Sequence, residues 1–267
     1  MTNDVLEWYG GLYDEAGRLT DDSLEFVRCK RIIDRCLTEQ PMRIADIGGA
    51  SGTYSFWLAG LGHEVSLIDL TPRHIEQAKA RALDTGVPLH DYSCADARQL
   101  PFEDATFDLV LVMGPLYHLQ EADDRLQALR EAYRVLKPGG KMACQVISRW
   151  ASVGDGFKLG LVKDDYFKTI MLHDMATGQH NNPRKVDHYF TTAHFHRPDE
   201  IVDEVSQAGF EDISLIAVEG FAAPLDTDAI MADLVMAPAL LDCLDATETV
   251  PELMGVSPHI MAVGQKG

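Results

Sequence analysis

Basic side chains are scarce in this sequence: 23 lysines and arginines face 42 aspartates and glutamates, giving a formal charge of -19 over 267 residues. Polyanions recruit clustered Lys and Arg, so nucleic acid is not an expected partner, and the acidity reads as a solubility device. No apolar run approaches the roughly 20 residues of a membrane span, so no membrane partner is expected either. The opening residues MTNDVLEWYGGLYDEAGR lack a basic start followed by an apolar stretch. They do not read as a signal peptide, and the expectation is a cytoplasmic protein. The five cysteines (Cys29, Cys36, Cys94, Cys144, Cys243) are odd in number and include no C-x-x-C pair. They read as reduced, mostly buried thiols, without disulfides or a zinc site. Two phosphate-binding signatures are also missing, G-x-x-x-x-G-K-[ST] and G-x-G-x-x-G.

What is present is an ordinary globular composition, 46% hydrophobic and 24% charged, in a chain long enough for one large domain with a sizeable insertion. Strand and helix signals alternate. In IADIGGASGTYS, residues 44–55, Ile44, Ala45 and Ile47 flank Asp46 as in a strand buried on both faces. Gly48, Gly49 and Gly52 then remove Cβ atoms where the chain turns into a helix, leaving room for a ligand against the main chain. HEVSLIDL reads as a second buried strand. A helix follows from Pro72, with Thr71 as N-cap and Gly86 as its stop. FDLVLVMGP is the clearest buried strand, ADDRLQALREAYRVLKPGG an amphipathic helix with a Pro-Gly stop, and KMACQVIS the next strand. Strands separated by helices predict right-handed crossovers and a parallel doubly wound α/β sheet.

The alternation fails over residues 149–196, a stretch too long for one connection and too aromatic for a linker. The expected organisation is therefore an N-terminal helical arm at 1–40, a core made of 41–148 and 197–267, and an inserted cap at 149–196. The core resumes with a helix over RPDEIVDEVSQAGF and a strand over EDISLIAVEGF. A helical stretch at about 226–247 precedes a last strand, SPHIMAVGQK.

In such a sheet ligands gather at the carboxyl ends of the strands, where Asp46, the glycine turn, Asp69, Asp96 and MGPLYH all fall. Asp69 lies 21 residues after Gly48, a spacing at which a carboxylate accepts both hydroxyls of a ribose. An adenosine-type ligand follows, while the turn lacks the dinucleotide spacing.

DIGGASG resembles the first motif of class I S-adenosylmethionine-dependent methyltransferases, with Ala50 where the middle glycine usually stands. ADARQLPFEDATFDLVLVMGPLYHL resembles the third and fourth motifs, and EAYRVLKPGGKMACQVIS the next helix, turn and strand. The resemblance, to the small-molecule branch of that family, implies a Rossmann-like, mostly parallel seven-stranded sheet with a cap-like insertion. It implies S-adenosyl-L-methionine as cofactor, with Asp46 bearing on its ammonium and Gly48, Gly49 and Gly52 lying along its amino-acid chain. Asp69 and Leu70 would hold the ribose, Asp96 and Ala97 the adenine, and Met113, Gly114 and Tyr13 would complete the pocket. Ala50 is expected to fit if its φ is negative.

Methyl transfer asks mainly for alignment and exclusion of water. His118, with an unperturbed pKa of about 6.5, is the candidate base, and Tyr117 stands beside it. Tyr9 precedes Tyr13 in the arm. The cap offers Phe157, Tyr166, His173, Tyr189 and Phe195 to an acceptor. His188, His194 and His196 have no third ligand in reach, so no metal is expected, and they read as histidines on a surface strand. The N-P-P-[YF] tetrapeptide is absent after the fourth strand, which favours a small-molecule acceptor with an O, N or S nucleophile. Two alternatives are a non-catalytic S-adenosylmethionine-binding protein and an NAD(P)-dependent oxidoreductase.

Overall fold

A computed structural model of the protein describes residues 8–9, 23–186 and 189–267; Tyr13 and His188 lie outside them. The central sheet has seven strands: β1 (Arg43–Ile47), β2 (Glu64–Asp69), β3 (Asp91–Cys94), β4 (Phe107–Val112), β5 (Leu136–Ile147), and, beyond a two-stranded ribbon of β6 (Gln179–His180) and β7 (Ala193–His194), β8 (Glu211–Ala217) and β9 (His259–Gln265). The order in the central sheet is β3-β2-β1-β4-β5-β9-β8. The first five are mutually parallel and β9 runs antiparallel to both neighbours, so the sheet is mostly parallel as expected. The order reverses between β1 and β4, which places a crevice at their carboxyl ends.

Helices cover both faces, which explains why FDLVLV is apolar without alternation. Val110 and Val112 of β4 pack with Leu129 and Val135 of a helix at Ala122–Val135, while Leu109 and Leu111 pack with Ile32 and Ile33 of a helix at Leu24–Asp34. We number the helices α1 (Leu24–Asp34), α2 (Thr53–Gly60), α3 (Pro72–Thr85), α4 (Pro115–His118), α5 (Ala122–Val135), α6 (Ala151–Lys158), α7 (Asp165–Thr177), α8 (Pro198–Gln207), α9 (Thr227–Met231), α10 (Met236–Thr247) and α11 (Pro251–Met254). Helix α1 begins at Ser23, whose hydroxyl accepts from the Phe26 amide at 3.4 Å. Helix α3 begins at Pro72 and stops at Gly86, where φ is +70°. Strand β5 starts earlier than expected, at Leu136. Its pairing jumps from Phe107–Leu136 to Leu109–Lys141, so Lys137–Gly140 form a bulge and not a terminal turn.

Residues 149–196 carry α6, α7 and the β6–β7 ribbon around a small core of Phe167, Ile170 and Tyr189. Arg149 anchors this segment: its Nε donates to the Phe195 carbonyl at 2.8 Å and its Nη2 pairs with Glu200 of α8 at 2.7 Å. The cysteines are free and mostly buried, as expected: Cys29, Cys36 and Cys144 are buried, and Cys94 and Cys243 are exposed. No described helix is long and apolar enough to cross a membrane.

Candidate active site

The glycine turn is pinned to the second strand, because the Gly48 and Gly49 amides donate to the Ile68 carbonyl at 2.7 and 3.3 Å. Gly48 has φ of +71°, and a Cβ there would lie 2.4 Å from Cδ of Pro115. Only glycine meets both conditions. Ala50 departs from expectation: its φ is +50°, in the left-handed region. That conformation costs an alanine roughly 1–2 kcal/mol, and glycine's looser unfolded chain offsets about 0.4–1 of the gain from relieving it. Ala50→Gly is therefore expected to raise stability by about 0.5–1 kcal/mol, read as a small rise in urea midpoint. A drop would show that the alanine methyl is favourably packed.

Asp69 holds this turn and faces the pocket. One oxygen accepts from the Ala50 amide at 3.0 Å, and the other from the Thr71 amide at 2.8 Å and His74 Nδ1 at 3.1 Å. Asp46 does not face the pocket. It is fully buried behind the turn, accepts from Ser55 Oγ at 2.6 Å, and would meet a Cβ on Gly49 at 2.5 Å. Burial pushes its carboxyl up to about 6, with the Ser55 bond opposing and the charge of Asp69 adding to the rise. Gly52, at φ of +86°, starts α2 and also stays outside the lining. Gly48, Gly49, Asp69, Leu70, Asp96, Ala97, Met113 and Gly114 all line one pocket, with Tyr117 and His118. Asp96 is gripped by Arg98 through Nε at 3.0 Å and Nη2 at 2.7 Å, and that bonding holds its carboxyl below the usual range.

His118 differs from a histidine titrating near 6.5. Burial lowers it to about 4, partly offset by its bond to a backbone carbonyl. That bond, from Nδ1 to the Thr192 carbonyl at 3.4 Å, leaves Nε2 to accept from the Tyr9 hydroxyl at 2.9 Å. The ring is a neutral fastener between Tyr9 and the inserted segment. Sequence reasoning missed Glu25, His74 and Gln145, which also line the pocket. Each comes from a separate element, and nothing in the local pattern marks it.

A second cavity of about 300 Å³ adjoins the first and shares Tyr9 and Tyr117 with it. Of the cap residues expected there, Tyr189 and Phe195 line it; Phe157, Tyr166 and His173 do not, and Phe157 is 69% exposed. At the border stands His259, whose Nδ1 donates to Glu219 Oε1 at 2.6 Å and whose Nε2 is 4.0 Å from Glu25 Oε1. His194 and His196 share a face as their spacing suggested, with ring centroids 4.5 Å apart, but they are buried and not on a surface strand. Burial, and then the neighbouring His196, lower His194 to about 3. Burial lowers His196 too, against its 3.2 Å bond to Glu204.

A switch-point crevice with a glycine turn and an acidic residue ending β2 is the arrangement at which Rossmann-like folds take nucleosides. Residues 45–144 match the family profile described as a methyltransferase domain. Among curated relatives, the ubiquinone/menaquinone biosynthesis C-methyltransferase UbiE of Bartonella henselae is 34% identical over 38% of this chain and 40% of its own. The ubiquinone biosynthesis O-methyltransferase of Xanthomonas axonopodis pv. citri is 30% identical over 64% of each chain. The chain thus spans less than two thirds of the length of these relatives. Among solved structures, a SAM-dependent methyltransferase of Methanosarcina mazei superposes with a TM-score of 0.59 at 21% identity, covering 88% of this chain and 96% of its own. The N-methyltransferase NodS of Bradyrhizobium japonicum, solved with S-adenosyl-L-homocysteine, gives 0.58 at 16% identity, covering 98% and 96%. The shared fold is that of SAM-dependent methyltransferases.

Proposed function

We propose that the protein is an S-adenosylmethionine-dependent methyltransferase acting on a small-molecule acceptor by in-line transfer. The observation that carries the reading is the charge of the pocket. Its described lining holds the carboxylates Glu25, Asp69 and Asp96 and no lysine or arginine. Such a lining suits a sulfonium bearing an ammonium, and it supplies no cationic side chain to the diphosphate of a nicotinamide dinucleotide. The bound cofactor would supply a methyl group on a sulfonium.

In this reading the backbone of Gly48, Gly49 and Ala50 lies along the amino-acid portion, and Asp46 supports the turn from behind. Asp69 and Leu70 take the ribose, Asp96 and Ala97 the adenine side, and Met113 and Gly114 the opposite wall. Tyr9 and Tyr117 stand between the cofactor pocket and the acceptor cavity, and His118, on the cofactor side, orients Tyr9 and helps exclude water. The test is release of S-adenosylhomocysteine from S-adenosylmethionine across a panel of small amines, phenols and thiols. Release that depends on one acceptor class is the expected result. Cofactor binding without release over the whole panel would instead favour a binding-only protein.

Asp69→Asn keeps the side chain's shape while removing its charge. It is expected to weaken S-adenosylhomocysteine binding by about 1.5–3 kcal/mol, the range for hydrogen bonds to charged groups. Unchanged affinity in the folded variant would move the ribose elsewhere.

A further inference from the structure

We propose that the acceptor is an apolar or aromatic amine, bound in the second cavity with its nitrogen held by Asp155 and His259. This inference rests on the methyltransferase reading and names the substrate class of that site. Three observations converge on it. The first is charge: Asp155 of α6 and His259 line the cavity, and no described lining residue is a lysine or arginine. A carboxylate or phosphate acceptor would meet Asp155 with no cation to pair with, whereas an ammonium finds its counter-ion. The second is the remaining wall, which includes Trp8, Tyr117, Phe190 and Phe195. Aromatic faces attract a cation as well as an apolar body. The third is an unmet hydrogen bond: the hydroxyl of Ser152, on the same helix turn as Asp155, is buried without a partner and lines the cavity. A buried hydroxyl left unpaired costs free energy that a polar ligand atom would restore.

Asp155 is an exposed residue of the cavity lining. Partial desolvation by neighbouring atoms raises its carboxyl, His259 and Lys158 oppose the rise, and Glu219 adds to it. A bound ammonium would favour its charged form.

The chemistry of an amine also requires a proton acceptor, since an ammonium has no lone pair to attack a methyl group. His259 is placed for this. Glu219 accepts from Nδ1, which fixes the tautomer and leaves Nε2 as the basic atom. That nitrogen lies between Glu25, which lines the cofactor pocket, and the acceptor cavity that His259 itself lines. The N–H bond of the ammonium breaks, its electron pair stays on nitrogen as the attacking lone pair, and the proton bonds to Nε2. Glu25, Glu219 and Asp155 all favour the imidazolium that forms, while Lys158 opposes it. The same three residues, Glu25, Glu219 and His259, bring donor atoms within 4.8 Å of one another. The 2.6 Å bond between Nδ1 and Glu219 Oε1 is a hydrogen bond, so the cluster reads here as a hydrogen-bonded relay.

The test is calorimetric titration of the full chain with phenethylamine, 2-phenylethanol and 3-phenylpropanoate, with S-adenosylhomocysteine titrated in the same samples. The amine is expected to bind at least tenfold more tightly than either other probe. Asp155→Asn should remove most of that preference while leaving S-adenosylhomocysteine affinity unchanged, which also reports that the variant is folded. In Glu219→Gln, the NMR titration of the His259 ring should move to lower pH. Equal binding of the alcohol or the carboxylate, no binding of any probe, or an amine preference that survives Asp155→Asn would each overturn the proposal. With S-adenosylhomocysteine still bound, that failure would leave the methyltransferase reading standing; loss of S-adenosylhomocysteine binding by the unmodified chain would remove both.

Discussion

Lowering the pH from 7 to 5 is expected to cost the fold about 3 kcal/mol, well before ordinary carboxylates titrate. The cause is a set of buried imidazoles. His118 and His194 are lowered by burial to about 4 and 3, and His196 is lowered as well. A histidine depressed in the native state binds fewer protons there than in the unfolded chain, where it titrates near 6.5. The unfolded state is therefore favoured progressively as pH falls below about 6.5. Each such proton is worth about 1.4 kcal/mol per pH unit. Asp46, raised to about 6 by burial, acts in the opposite sense, and exposed Asp155, also raised, does so more weakly: each is relieved of an unfavourable charge on acidification, which returns part of the loss. Below pH 4.5 the loss steepens again. Burial pushes Glu204 up, but bonds from His196 and Arg125 prevail and hold it near 2, so its contribution is lost as it protonates. Urea midpoints at pH 7, 6 and 5 check this; a flat profile would mean that these imidazoles are hydrated or paired in solution. His194→Asn should flatten the slope by about one proton.

Arg28→Met should destabilise the protein by about 3 kcal/mol. Arg28 is fully buried on α1, a position where an arginine is rarely found unless it is paired. Its guanidinium donates to the Val218 carbonyl at 3.1 Å, to Glu248 Oε2 at 2.7 Å and to Asp245, so one side chain ties α1 to the end of β8 and to the C-terminal end of α10. Breaking a buried pair by removing one partner costs about 3–5 kcal/mol. The lower end applies because Arg35 still donates to Glu248 at 3.0 Å and Arg31 still pairs with Asp245. Helix α1 also presents Glu25 to the cofactor pocket, so the variant should lose cofactor affinity along with stability. A change below about 1 kcal/mol in urea midpoint at constant m-value would show that the clamp is dispensable.

How far the sequence reached depended on whether the signal was local. Strands β1, β2 and β4 were legible because runs such as FDLVLV are apolar at every position, as burial on two faces requires. Asp69 and Gly48 were legible because they sit at the ends of those runs. The sign of φ at Ala50 was not, since it depends on where Asp69 holds the Ala50 amide. The period-2 spacing of His194 and His196 correctly put both rings on one face. It carried no sign that α8 would cover that face and bring Glu204 against them. LKPGG read as a helix stop because proline and glycine usually end helices; its pairing with β4 instead makes it a bulged start of β5. The Glu25–His259–Glu219 cluster joins Glu25 to two residues more than 190 positions further along the chain, and only the completed sheet brings them together.

The central claim, that the crevice above β1, β2 and β4 is an S-adenosylmethionine site, is tested most directly by isothermal titration with S-adenosylhomocysteine, using NAD as the control. One-to-one micromolar binding of S-adenosylhomocysteine with no heat from NAD is the predicted result. Binding of NAD alone, or of neither ligand by the folded protein, would contradict it and reduce the glycine turn to a packing device.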